Sequence, residues 1–168
     1  DSRCGVAIET ALGGAMQNLI VDNEEAAKKW IRFLAQNRAG RATFLPVTSV
    51  KGRILQEYGL ENEPGFVDYA YRLVRYERIH EGIVHSLLGR IAVAENLDAA
   101  SDIAKKYGYR FRIVTLDGQV INAGGSFTGG SAQKSGGMIT RKTEISALRQ
   151  TIEALKIREQ ENAQKLSQ

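Results

Sequence analysis

The chain has 168 residues, of which 43% are hydrophobic and 25% charged, the balance of a globular protein and not of a disordered one. Lys and Arg (23) exceed Asp and Glu (19), and the net charge of +4 admits a nucleic-acid partner without requiring one. Cys4 is the single cysteine, which excludes an intrachain disulfide and suits a reducing interior; no apolar run has the length of a membrane span, and the start at Asp1 has no signal-peptide pattern.

In chain order, Val6, Ala7, Ala11 and Leu12 suit a short helix over Cys4–Leu12, ended by Gly13-Gly14. Ala15–Val21 reads as a strand. Asp22 or Asn23 can cap a helix whose first turn carries Glu24 and Glu25, where carboxylates favour the helix dipole. Its inner face would be Ala26, Ala27, Trp30, Ile31 and Leu34, and Arg41–Leu45 follows as a strand stopped by Pro46. Val47–Pro64 is expected to be an interdomain linker, with a short helix over Ser49–Tyr58 that puts Val50, Ile54 and Leu55 on one side.

The same order then recurs. Gly65–Tyr76 is strand-like in part, Ile83–Leu88 before Gly89 repeats the first helix, and Ile91–Val93 repeats the strand ending at Val21. Leu97–Tyr107 with Ala99-Ala100 repeats the helix with Ala26-Ala27, and Tyr109–Thr115 repeats Arg41–Leu45. Such a duplication predicts an α/β fold of two related subdomains, one over residues 1–46 and one over 65–131, joined by 47–64. The first copy has no counterpart of Gly65–Tyr76, so an earlier strand is expected upstream of Asp1.

The second copy ends in a hairpin and a glycine-rich run. Phe111–Thr115 and Gln119–Ile121 are strands around the turn residues Asp117-Gly118. Gly124-Gly125 and Gly129-Gly130 then flank Ser126-Phe127-Thr128, with Ser131 closing the run. Three readings compete: a flexible loop, a phosphate cradle, and a surface where a strand edge near Ile121 and glycine-bared backbone meet a second chain. The spacing is neither G-x-G-x-x-G nor G-x-x-x-x-G-K-[ST], which argues against the cradle.

Residues 132–140 form a small-residue loop, and 141–168 contain no Gly or Pro. Ile145, Leu148, Ile152 and Leu155 follow heptad spacing, which weakens at Glu159 and Asn162 before Leu166 restores it. One alternative is an amphipathic helix packed on the domain. A helix of 28 residues would be about 42 Å long, more than a small domain covers, which favours a projecting coiled-coil arm.

Little in the chain suggests catalysis. His80 and His85 are five apart, Asp117 is explained by its turn, and Ser126, Thr128 and Ser131 have no evident base. Nucleic-acid contact has candidates in Lys28, Lys29, Arg32, Arg38 and Arg41 and in Lys134, Arg141 and Lys142, whose charges would serve sequence-independent phosphate contacts or simply solvate a helix face.

VTLDG at Val114–Gly118 followed by GGSFTGGS at Gly124–Ser131 resembles the glycine signature of the hinge domain of SMC (structural maintenance of chromosomes) proteins, bacterial type. AIETALGG at Ala7–Gly14, GRATFLPV at Gly40–Val47 and LLGR at Leu87–Arg90 fit the same family in the same order; Phe127 stands where Met is more usual. The resemblance implies a homodimer with Gly124, Gly125, Gly129 and Gly130 at its interface, and a C-terminal helix that begins a returning coiled-coil arm. It further implies that the chain itself binds no cofactor, ATP and Mg belonging to head domains outside it, where a kleisin and accessory subunits would act. Chromosome condensation and segregation, a cytoplasmic, nucleoid-associated location and weak DNA contact near the coiled-coil junction complete the expectation. A DNA-binding module with incidental self-association and a nucleotide-binding enzyme are the alternatives.

Overall fold

The computed structural model describes residues 2–130 and, in the C-terminal segment, residues 145, 146, 148–153, 155, 156 and 158. Contacts divide the chain into a unit spanning Arg3–Ala132 and one formed mainly by Gln133–Gln168. In the latter, the described residues are helical, and Ile145, Leu148, Ile152 and Leu155 each leave about half of their surface open.

The larger unit begins with α1 (Gly5–Leu12), which ends at Gly13 with φ +50°, a value glycine adopts without strain. A 3-10 turn over Gly13–Gln17 takes up the first three residues of the expected strand, and β1 is confined to Leu19–Val21. Helix α2 (Glu24–Gln36) starts where Asn23 Oδ1 accepts the Ala26 N–H at 3.0 Å, the bond that distinguishes a capping Asn from an apolar residue. Strand β2 (Phe44–Pro46) pairs parallel with β1, Leu19 opposite Phe44.

A second sheet follows the order β3-β4-β5-β6-β7, with ranges Phe66–Tyr69, Ile91–Ala94, Arg112–Thr115, Val120–Ile121 and Phe127–Thr128. Only β4 and β5 are parallel, as the crossover through α4 (Leu97–Lys106) requires; the other pairings are antiparallel. Alternation along the strands sorts their side chains onto two faces. Ala92, Ala94, Ile113 and Ile121 meet Ala100, Ile103, Ala104 and Tyr107 on the α4 side. Val93, Val114 and Val120 meet Ala7, Ile8 and Ala11 of α1 and Leu88 of α3 (Glu81–Leu88) on the other.

Helices α2 and α4 begin alike. Asn23 and Asn96 have nearly the same backbone angles, φ −154° and −152°, and each accepts an N–H three residues on at 3.0 Å. Burial differs, however. Ile103 and Ala104 of α4 are 2% exposed, whereas their counterparts Trp30 and Ile31 on α2 are 48% and 53% exposed. The cause is the surroundings: β4 lies between two strands, β1 has one, and α1, the counterpart of α3, packs against the larger sheet.

The helix expected over Ser49–Tyr58 is absent. Residues 50–57 form an extended strap laid along α3, and glycines set the closeness of the contact. A Cβ on Gly52 would stand 1.9 Å from the Ser86 nitrogen, one on Gly82 2.4 Å from the Val50 oxygen, and one on Gly89 2.4 Å from the Arg53 oxygen. The Leu55 N–H donates to the Gly89 carbonyl at 2.7 Å, which replaces a helical partner with one on a neighbouring element. Beyond it, the strap inserts Leu55 and Leu60 into the α4-side core, and the Tyr107 hydroxyl donates to the Tyr58 carbonyl at 3.0 Å. Residues 47–64 are therefore part of the packed unit.

Candidate self-association site

The glycine-rich run is built from two consecutive turns. In the first, the buried Thr115 hydroxyl reaches the Asp117 carboxylate and accepts the Gln119 N–H at 2.8 Å, and Gly118 supplies φ +87°. These bonds fix the β5–β6 hairpin. In the second, Gly124 and Gly125 have φ +87° and +90°, which an L side chain adopts only with strain. The Asn122 N–H donates to Ser126 O at 2.8 Å, closing the turn so that β7 returns beside β6 with Phe127 opposite Ile121.

Gly129 has a different reason for being glycine. The Gln119 side chain lies over it, with Oε1 2.0 Å from where a Cβ would stand. That amide accepts the Gly130 N–H at 2.9 Å and donates to the Gly130 carbonyl at 3.2 Å, extending the ladder beyond the end of β7 with a side chain in place of a strand. Gly130 itself has φ +143° and nothing within 4 Å of its Cβ position.

These bonds weigh against the phosphate-cradle reading. The Gly124 N–H donates to Tyr109 O at 2.9 Å, Gly125 to Asn122 O at 3.0 Å, and Gly130 to Gln119, so three amides a cradle would need are engaged within the chain. Nor is the run a free loop, since β7 lies in its middle. What it leaves open among the described residues is an edge: β7 has a partner there on one side only, residues 126–130 are all exposed, and Phe127 keeps 52% of its surface.

One expected interface residue is corrected. Ile121 is fully buried in the α4-side core, and its strand is flanked by β5 and β7, so it has neither side-chain surface nor a free edge to offer. The edge belongs to β7, which sequence reasoning missed because two residues between glycine pairs carry little pattern. Phe127-Thr128, one aromatic and one β-branched residue, was the available signal.

A family model described as "SMC proteins Flexible Hinge Domain" matches residues 1–104. The chain belongs to the SMC hinge family. It is 44% identical over 140 residues to the chromosome partition protein Smc of Clostridium kluyveri and 40% identical over 143 residues to that of Bacillus subtilis, matches that cover 82% and 83% of this chain. In both cases they span only 12% of the relative's length. A crystal structure of an asymmetric dimer of the Geobacillus stearothermophilus SMC hinge domain superimposes with a TM-score of 0.80 at 41% identity, over 93% of this chain and 64% of that one. The Pyrococcus furiosus SMC hinge domain gives 0.66 at 26% identity, over 82% and 73%.

Elsewhere on the hinge, the candidate nucleic-acid residues are unequally placed. Lys28 pairs with Glu25 at 2.8 Å, and that hydrogen bond holds the Glu25 carboxyl below its ordinary range and raises the Lys28 ammonium above its own. Lys29 and Arg32 are exposed on the same helix, as are Arg38 and Arg41 after it. Lys134, Arg141 and Lys142 lie outside the described residues. His85 packs edge-on against Tyr71 at 5.1 Å between ring centres. Among the described residues no group of three His, Cys, Asp or Glu is placed to hold a metal, and no helix is long and apolar enough to cross a membrane.

Proposed function

We propose that this hinge joins two copies of a longer SMC protein, each copy presenting the β7 edge and the glycine-framed backbone of Ser126–Gly130 to the other. The observation that carries this reading is the edge of β7, unpaired among the described residues, beside a half-exposed phenylalanine. An open strand edge is a template for another chain, and bare glycine backbone lets that chain approach closely. The Geobacillus stearothermophilus relative was solved as a dimer, which supports the same use of the fold. With Gly124, Gly125, Gly129 and Gly130 shaping the edge, their part in pairing is to hold β7 flat and accessible.

The half-exposed seam of Ile145, Leu148, Ile152 and Leu155 suits the start of an arm that pairs with another helix. Two hinges joined in this way would connect two arms into one molecule. On this reading the longer protein works in chromosome condensation and segregation, with ATP and Mg at head domains and a kleisin acting there. DNA would be enclosed by the arms and touched weakly, without sequence preference, at the hinge.

Solution mass by light scattering over a dilution series tests the pairing, comparing the native chain with Phe127→Glu. Phe127 is exposed in the single chain, so circular dichroism should be unchanged while the dimer becomes a monomer. A variant that stays dimeric over the native concentration range would remove β7 from the interface.

A further inference from the structure

We infer that the cavity between the strap and the end of β3 is a guanidinium site, which the chain fills with its own Arg72 and which an alkylguanidinium from outside can enter in its place. The cavity has a volume of about 500 Å³, inside the range of about 300–1,000 Å³ usual for small-molecule sites. From the strap, Gln56, Glu57 and Tyr58 line it; from the end of β3 and the turn after it come Tyr69, Tyr71 and Arg72. These walls are fixed by the rest of the unit. The Leu55 N–H donates to the Gly89 carbonyl at 2.7 Å, the Tyr107 hydroxyl donates to the Tyr58 carbonyl at 3.0 Å, and Tyr69 is 4% exposed.

Arg72 shows what the site accepts. The Tyr69 and Tyr71 rings are stacked at 6.0 Å between centres, and the Arg72 guanidinium lies 4.7 Å from the centre of Tyr69 and 5.8 Å from that of Tyr71. Its Nε donates to the Tyr71 hydroxyl at 3.2 Å and its Nη1 to Glu61 Oε1 at 2.9 Å, with Asp68 Oδ1 at 3.6 Å. A ring face, a hydroxyl and a carboxylate together suit a planar fork of donors better than they suit a compact ammonium. Yet Arg72 is held loosely: its side chain and that of Glu61 keep 47% and 55% of their surface, and exposed ion pairs are weak. The cavity also offers groups that the chain leaves unused. The side-chain amides of Gln56 and Asn62 have no hydrogen-bond partner among the described residues, and the Tyr58 ring is wholly exposed. An anion would meet Glu57 and Glu61, the two carboxylates that line the cavity, and an apolar ligand would leave carboxylates and amides without partners. Glu57 is already matched by Arg110 at 2.8 Å, so the counter-charge that can change hands is Glu61.

The test is a titration of the isotope-labelled whole chain, read by amide chemical shifts in nuclear magnetic resonance. Three probes are used: agmatine, the blocked tripeptide acetyl-Gly-Arg-Gly-amide, and the same tripeptide with lysine in place of arginine. Both guanidines should move signals of residues 54–62 and 69–72, and the lysine peptide should move them much less. Because Arg72 occupies the seat in most molecules, Arg72→Ala should bind agmatine about tenfold more tightly than the native chain, a gain in affinity for a cation on losing an internal competitor. Adding Glu61→Gln to that variant should cancel the gain, by about tenfold or more, since the incoming guanidinium then finds no carboxylate. Lys105→Ala removes an exposed cation that pairs with Asp102 instead and should leave the affinity unchanged. Arg72 and Glu61 are exposed, so both variants should keep the native circular dichroism. A tripeptide that binds more tightly than agmatine would identify the ligand as an arginine carried by a partner protein, and agmatine binding as tightly would identify a free alkylguanidine. Binding of agmatine that is equal or weaker in Arg72→Ala, shifts of the same size with the lysine peptide, or no shifts in either protein would overturn the site.

Discussion

The strap contact makes Gly52→Ala the most informative single substitution in the fold. Its Cβ would meet Ser86 N at 1.9 Å and the His85 carbonyl carbon at 2.0 Å, both backbone atoms of α3, whereas ordinary contacts begin at 3.4 Å. Strap and helix must therefore part by about 1.5 Å, because neither partner is a side chain that can rotate away. Overpacking of this kind costs about 1–3 kcal/mol. The bond from the Leu55 N–H to the Gly89 carbonyl stretches with it, a further loss of about 1 kcal/mol. Against this, alanine restricts the unfolded chain and returns about 0.4–1 kcal/mol. The net loss is about 1–3.6 kcal/mol, which for a chain of this size lowers Tm by roughly 2–14 °C. Guanidinium and thermal unfolding followed by circular dichroism would measure it, with Gly14→Ala, which has nothing within 4 Å of its Cβ position, as the neutral control. A Gly52→Ala protein within 0.5 kcal/mol of the native one, a margin typical of neutral surface changes, would refute the close approach.

Asn96→Ala removes the side-chain acceptor of the α4 cap and should cost about 1 kcal/mol in the same unfolding experiment; no loss would mean that water serves the Ala99 N–H equally well. Glu63 is held below its ordinary value of 4.5, first by the hydrogen bond from Lys106, and the same bond raises Lys106 above 10.5. A carboxyl depressed in the folded state stabilises at pH above its unfolded value and loses that contribution as pH falls through the folded one; the raised ammonium loses its share as pH rises past 10.5. Glu63→Gln should accordingly flatten the decline in stability below pH 4.5, and melts at pH 6 and pH 3.5 that decline equally in both proteins would refute the pairing.

Helix spacing places α2 and α4, Asp22-Asn23 offers a cap, and Asp117-Gly118 marks the hairpin turn, because the forces behind each act within a few residues. The recurrence of a helix-strand-helix-strand order was visible for the same reason, and the glycine run pointed to the family. By itself, then, the sequence determined α2, α4, the hairpin turn and the kinship. Tertiary structure decided what those elements face. The strap is extended because Gly52 rests on backbone more than thirty residues away, and Val50, Ile54 and Leu55 suited a helix equally well until α3 supplied a partner for the Leu55 N–H. Ile121 is enclosed and Phe127 half-exposed because an edge is a property of the whole ladder, and one further two-residue strand moved it. Trp30 and Ile103 hold equivalent helical positions, yet one is open and the other enclosed, since burial depends on how many layers surround a strand. Long-range contacts set all three, and no window of neighbouring residues contains them.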